Sequence, residues 1–161
     1  MKLYKNQSIR AFLDDLSART PVPGGGAAAA LTAGLGAALI SMVAQYSLKK
    51  GRPKAVEQKI KAILTKSEKI RKRLLDLVDR DAQAYLNVVR ARSLSAARKK
   101  AALKGARTVP LEVEKLCYEA VNLSPYLVRE GNRYLVSDIR VAVELLLAAF
   151  YAAKINVEIN Q

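Results

Sequence analysis

Apolar residues recur along most of this chain at spacings of three and four, the period of helices with one buried side. Ile9, Phe12, Leu13 and Leu16 fall on one face of a short first helix, which Ser8 is placed to cap. That helix ends near Arg19, ahead of Pro21. A second helix, from about Gly26 to Lys50, has no polar face. Its small residues at Ala30, Gly34, Ala37, Ala38 and Ser41 let another helix come close. Gly51 ends it and Pro53 opens the third, following the Pro-in, Gly-out asymmetry of helix ends. The third is long, from about Lys54 to Arg92, with Ile60, Ile63, Ile70, Leu74, Leu77, Val78, Tyr85 and Val88 on its apolar stripe. A fourth, about Ala96 to Lys104, is expected to break at Gly105. Pro110 then opens a fifth, which Pro125 kinks and Gly131 ends. After a short polar connection Ser137 is the expected N-cap of a last helix starting at Asp138. No strand alternation and no internal repeat is present. The pattern predicts one all-α domain over residues 1–161, a bundle of about six helices with a long central one.

Composition narrows the chemistry. About half of the 161 residues are hydrophobic, mostly Ala, Leu and Val, which suits closely packed helices. One cysteine, Cys117, excludes an internal disulfide and fits a reducing, cytoplasmic setting. The absence of His removes the usual metal ligand and the His-dependent triads, so no metal site is expected and acid–base work falls to carboxylates, Lys, Tyr or water. The N-terminal residues do not form a signal peptide. Thr20 to Leu48 carries no charge and is long enough to cross a bilayer, but its prolines, glycines and polar residues favour a buried helix in a bundle and no membrane partner.

The net charge of +14 is concentrated. Residues 49–107 hold 19 Lys/Arg against five Asp/Glu, and the remainder is neutral. A solvated face, a nucleic-acid surface or a site for an anionic small ligand all fit such a block. The chain shows no recognition helix and no aromatic platform, so nucleic acid is the weaker reading.

Two features carry candidate chemistry. Thr20-Pro21-Val22-Pro23-Gly24-Gly25-Gly26 feeds directly into an Ala-rich helix. Such a loop offers unpaired N–H groups and the positive end of a helix dipole to a ligand. A tight helix crossing explains the same residues equally well. Asp81 lies on the apolar stripe with Val78, Tyr85 and Val88, where a carboxylate must be paired, hydrogen-bonded or protonated. A raised pKa there suits a general acid; a structural bond to a neighbouring helix is the alternative. Asp79, one helical step aside, is either a second carboxylate at the same rim or a solvated residue near Arg80. Tyr85 can place its hydroxyl at a cleft, and Asn156 and Asn160 are surface residues or polar hooks.

In combination the segments resemble the cyclodeaminase/cyclohydrolase family of folate enzymes, including the C-terminal half of formiminotransferase-cyclodeaminase. The resemblance rests on Phe12-Leu13 through Pro23-Gly24-Gly25-Gly26, Ser41-Met42-Val43, Asp79-x-Asp81-Ala82-x-Ala84-Tyr85, Val109-Pro110-Leu111, Gly131-Asn132, Ser137-Asp138 and Asn156-Val157-x-Ile159-Asn160. It implies an all-α homodimer with a tetrahydrofolate derivative as substrate in a cleft between helices, and neither metal nor redox cofactor. It implies closure of 5-formimino-tetrahydrofolate to the 5,10-methenyl form with release of ammonia, or, alternatively, cyclohydrolase chemistry on the methenyl and 10-formyl forms. A non-catalytic folate binder and a basic nucleic-acid-binding protein are the further alternatives. By the same resemblance Asp81 or Asp79 is the acid, with Asp81 preferred. Pro23, Gly24, Gly25, Gly26, Tyr85, Asn132, Ser137, Asp138 and Asn156 shape or support the pocket. Ala27 stands where the family commonly has Ser, and Leu94-Ser95 where a Leu-Pro pair is usual. The basic block is the expected seat for a folate's glutamate tail, polyglutamylated or not.

Overall fold

The computed structural model describes residues 3–159. Six α-helices follow in order: α1 (Ile9–Ser17), α2 (Gly25–Ser47), α3 (Lys54–Ala91), α4 (Ala96–Val121), α5 (Ser124–Glu130) and α6 (Val136–Ile159). Short 3-10 turns at Tyr4–Asn6 and Arg133–Leu135 precede α1 and α6, and no strand occurs among the described residues.

The four long helices form an up-down bundle with α2 at its centre. Gly26, Gly34 and Ser41 of α2 meet Asp81, Leu74 and Ser67 of α3, so the two run antiparallel. Gly36 lies against Ala142 and Leu146 of α6 while Gly25 lies near Asn156, the antiparallel order again. A Cβ at Gly36 would stand 2.7 Å from Leu146 Cγ and 3.0 Å from the Ala142 carbonyl, so glycine is what allows this crossing. Helix α4 returns along α3, tied by the two-pronged Arg73–Glu112 pair at 2.6 and 2.8 Å and by Lys66–Glu119 at 3.1 Å. Ile40, Ile60, Leu74, Leu77, Ile139 and Leu146 are fully buried between them. Although α2 is long and apolar enough to cross a membrane, most of it is buried in this bundle.

Three expectations about helix ends are corrected. Helix α4 runs unbroken through Gly105 and Pro110. Ala106, Val109, Pro110, Val113, Cys117 and Ala120 all face the core at helical spacing, and that burial outweighs the hydrogen bond Pro110 cannot make. The chain breaks at Asn122–Leu123 instead, and Pro125 sits in the first turn of α5, where a missing N–H has no helical partner to lose. Ser137 is not a cap, because the 3-10 turn before it runs straight into α6. Asn132 takes the capping role, its Oδ1 accepting from the Tyr134 N–H at 3.1 Å. In α1, Ser8 does cap, accepting from the Ala11 N–H at 3.1 Å. Of its apolar face, however, only Phe12 is buried, while Ile9 and Leu13 are exposed.

Candidate functional site

Asp81, Tyr85, Val88 and the C-cap residue Arg92 follow one another at steps of four, three and four along one side of α3, with Ala84 beside them. Opposite them lie the Thr20–Gly24 loop and the first turn of α2. Leu103 and Ala106 of α4 and Asn156 and Ile159 of α6 close the ends. The cavity between them has a volume of about 500 Å³, within the size of pockets that hold a cofactor-sized molecule.

Asp81 is the titratable group at its base. Its carboxyl presses on the start of α2, where a Cβ on Gly26 would overlap Oδ1 and lie 2.5 Å from Cγ. Only glycine admits the carboxyl there. The Ala27 N–H donates to it, one of the orphan donors at the helix N-terminus. That bond and the positive end of the α2 dipole both favour the charged form. Burial opposes them and wins, pushing the carboxyl up to about 6. The group therefore exchanges a proton near neutral pH, as a general acid must. Gly24 offers no side-chain cap, so the N–H groups of Gly25 and Gly26 start the helix without an intrahelical carbonyl partner. Asn156 sets its amide beside Gly25 and anchors through Nδ2 to the Ala152 carbonyl at 2.9 Å. Tyr85 lies on the wall, 44% exposed rather than in the core.

Pro23, Gly24, Gly25, Gly26, Asp81, Tyr85 and Asn156 are thus brought together. Asp79 is not with them. Two residues along a helix turn by roughly 200°, which sends it to the other side of α3. It is buried there, 6% exposed, accepting from the Tyr4 N–H at 2.6 Å. The expectations of a second rim carboxylate and of a solvated residue are both corrected. Asn132, Ser137 and Asp138 stand at the far end of α6, about 28 Å of helix rise from Asn156. There the Asn132 N–H donates to Ser47 Oγ at 2.8 Å and holds the α5–α6 turn. Asn160 lies outside the described residues. Arg92, Leu103, Ala106 and Ile159 are lining residues that the sequence reading missed. Arg92 was within reach, since the series 81, 85, 88, 92 simply continues the stripe that drew attention to Asp81.

Seven cations, Arg90, Arg92, Arg98, Lys99, Lys100, Lys104 and Arg107, lie between residues 82 and 111, a span without a single acidic residue. None of the seven is in an ion pair among the described residues. Arg92 and Lys99, with Val88 and Leu103, line a groove that continues the cavity outward between α3 and α4.

A family model described as formiminotransferase-cyclodeaminase matches residues 8–161. The methenyltetrahydrofolate cyclohydrolase of Methylorubrum extorquens is 36% identical over 96% of this chain and 79% of its own length. The formimidoyltransferase-cyclodeaminase of Rattus norvegicus is 30% identical over 95% of this chain, which spans only 30% of that larger protein. The crystal structure of formiminotetrahydrofolate cyclodeaminase from Thermotoga maritima superposes with a TM-score of 0.93 at 33% identity, covering 97% of this chain and 79% of that one.

Proposed function

The chain belongs to the formiminotransferase-cyclodeaminase family, and on that premise we propose that it is an enzyme working at the one-carbon bridge between N5 and N10 of tetrahydrofolate. The observation that carries this reading is Asp81, a carboxyl raised to about 6 at the base of a cavity floored by the α2 N-terminus. In the cyclodeaminase reaction N10 of 5-formimino-tetrahydrofolate attacks the formimino carbon. A tetrahedral carbon results, bonded to N5, N10 and an amino group. The C–NH2 bond then breaks with its electron pair, Asp81 delivers a proton to the departing nitrogen, and ammonia leaves. The N10 proton has passed to the former imino nitrogen, making it the amino group, and the bridge remains as the methenyl cation. No electron is transferred to an outside acceptor.

A second reading, methenyltetrahydrofolate cyclohydrolase, is favoured by the 36% identical relative of that name. There Asp81 serves in its ionised form, holding the water that adds to the bridge carbon. The unpaired cations around Arg92 and Lys99 supply a seat for the acidic glutamate tail of the folate, and polyglutamylated forms gain the most from it. A homodimer fits the surface of the bundle. Leu35, Leu39 and Tyr46 on α2 and Val141, Leu145 and Ala148 on the adjoining α6 are exposed or half-buried, and α2 contributes no charge at all. An apolar face of this extent is covered in a stable assembly.

Ultraviolet absorbance of the methenyl chromophore tests the reaction, with 5-formimino- and 10-formyl-tetrahydrofolate supplied in parallel. Formation from the first with release of ammonia establishes the cyclodeaminase. Interconversion with the second alone establishes the cyclohydrolase. Turnover of neither by the folded protein refutes the enzymatic reading.

A further inference from the structure

Two aspartates of one short motif have come to opposite sides of α3, and only Asp81 faces the cavity. The other, Asp79, is a buried carboxyl whose Oδ2 has no hydrogen-bond partner among the described residues. Where packing alone is required, an apolar residue serves better than such a group. Its bond from the Tyr4 N–H is short, at 2.6 Å. Tyr4 is itself buried, its ring set edge-on to Phe12 with centroids 6.0 Å apart, so the side chain has a fixed direction. That direction carries its hydroxyl to the Val22 carbonyl, to which it donates at 3.0 Å. Val22 belongs to the loop that walls the cavity, immediately before Pro23 and the three glycines. Thr20 Oγ1 donates to the same carbonyl at 3.0 Å. Lys5, next to Tyr4, is pinned to Asp76 of α3 at 2.6 Å.

We propose that Asp79 is a positioning residue: through Tyr4 it fixes the Thr20–Gly24 loop to the same helix that carries Asp81. Both the acid and the wall facing it are then referenced to α3, one on each side of the helix. The distance between Asp81 and a ligand held by the loop no longer depends on the loop's own stiffness. The spacing of the two aspartates follows from this division, since residues two apart point in nearly opposite directions. The proposal rests on the folate reading for its catalytic readout and on the hydrogen bonds alone for its structural one.

The test compares Asp79→Asn, Asp79→Leu and Tyr4→Phe with wild type and Asp81→Asn in the full chain. Loss of one such hydrogen bond should raise KM about fivefold in Tyr4→Phe and Asp79→Leu. The pH midpoint set by Asp81 should stay where it is. Asp79→Asn, whose amide oxygen still accepts from Tyr4, should restore KM to within about twofold of wild type. The double variant Tyr4→Phe/Asp79→Leu should be no worse than Asp79→Leu alone, as members of one relay are not additive. Loss of turnover in Asp79→Asn matching that of Asp81→Asn would make Asp79 a second acid and overturn the proposal. So would a fall in melting temperature with KM unchanged. Should Asp79→Leu fail to fold, Tyr4→Phe carries the test, because it keeps the ring and the backbone N–H. If wild type turns over no folate, the functional reading fails and the relay is judged by amide hydrogen exchange alone. Faster exchange across the loop and the first turn of α2 in Tyr4→Phe then supports it, and unchanged exchange refutes it.

Discussion

Replacing Asp81 by Asn should make the protein more stable while it stops turning over. The carboxyl titrates at about 6 in the folded chain against a usual 3.8, with burial as the leading cause. Between those two values the folded state binds a proton that the unfolded state releases. Wild type is therefore most stable, as far as this group is concerned, below about pH 4, and loses stability as the pH climbs through 6. The shift is roughly two pKa units, worth about 3 kcal/mol once the group is fully ionised. An Asn keeps the shape of the protonated carboxyl and can still accept from the Ala27 N–H, but it never becomes charged. The stability gap between the Asp81→Asn variant and wild type should be small at pH 4, about half-developed near pH 5 and flat at about 3 kcal/mol above pH 7. Urea unfolding followed by circular dichroism, at one protomer concentration throughout, measures it. In a chain of this length the same gap raises the melting temperature by roughly 6–12 °C. A variant no more stable than wild type at pH 8 would refute the claim that burial governs this group.

Gly26→Ala places a Cβ on Asp81 Oδ1, so turnover should fall at least about tenfold as the carboxyl is driven off the α2 N-terminus; steady-state kinetics and the pH midpoint together report it. Leu35→Glu changes a side chain that is 52% exposed in the single chain, so any loss is a loss of association; sedimentation should show dimer giving way to monomer with helicity retained. Arg92→Ala should raise KM more for a substrate with several glutamates than for one with a single glutamate, and the difference should shrink with added salt. Cys117, buried with its thiol pushed up to about 12, should resist alkylation in the native protein and react only after unfolding.

The prolines and glycines flanking α2, with Gly51 and Pro53 after it, made the first half of the bundle legible, because each acts on the backbone locally. Asp81 stood out for a related reason: a charge on an apolar stripe conflicts with its neighbours whatever the rest of the fold does. The misread features depend on distant partners. Pro110 stays inside α4 because the core holds the turns on both sides of it. Asp79 reads from the sequence as a second rim carboxylate or a solvated residue near Arg80, and neither reading anticipates Tyr4, 75 positions away, whose N–H occupies its Oδ1. Asn132, Ser137 and Asp138 shared a motif set with the pocket residues, yet order along a chain says nothing of which end of a long helix a residue occupies. Their place within one chain is the α5–α6 turn and the start of α6.

The order in which the ribosome releases this chain bears on its central helix. Helix α2 emerges before the other long helices of the bundle, and α3, made next, covers one flank. The flank with Gly36 waits for Ala142 and Leu146 of α6. The last residues of α6 follow the end of α2 by about 110 positions, about 6–20 s at ordinary elongation rates. Through that interval an uncharged helix of 23 residues, with length and hydropathy enough for a bilayer, is present without α6, one of the two helices it packs against most. The segment that builds the floor of the cavity is thus fully enclosed only when the last helix of the bundle is in place.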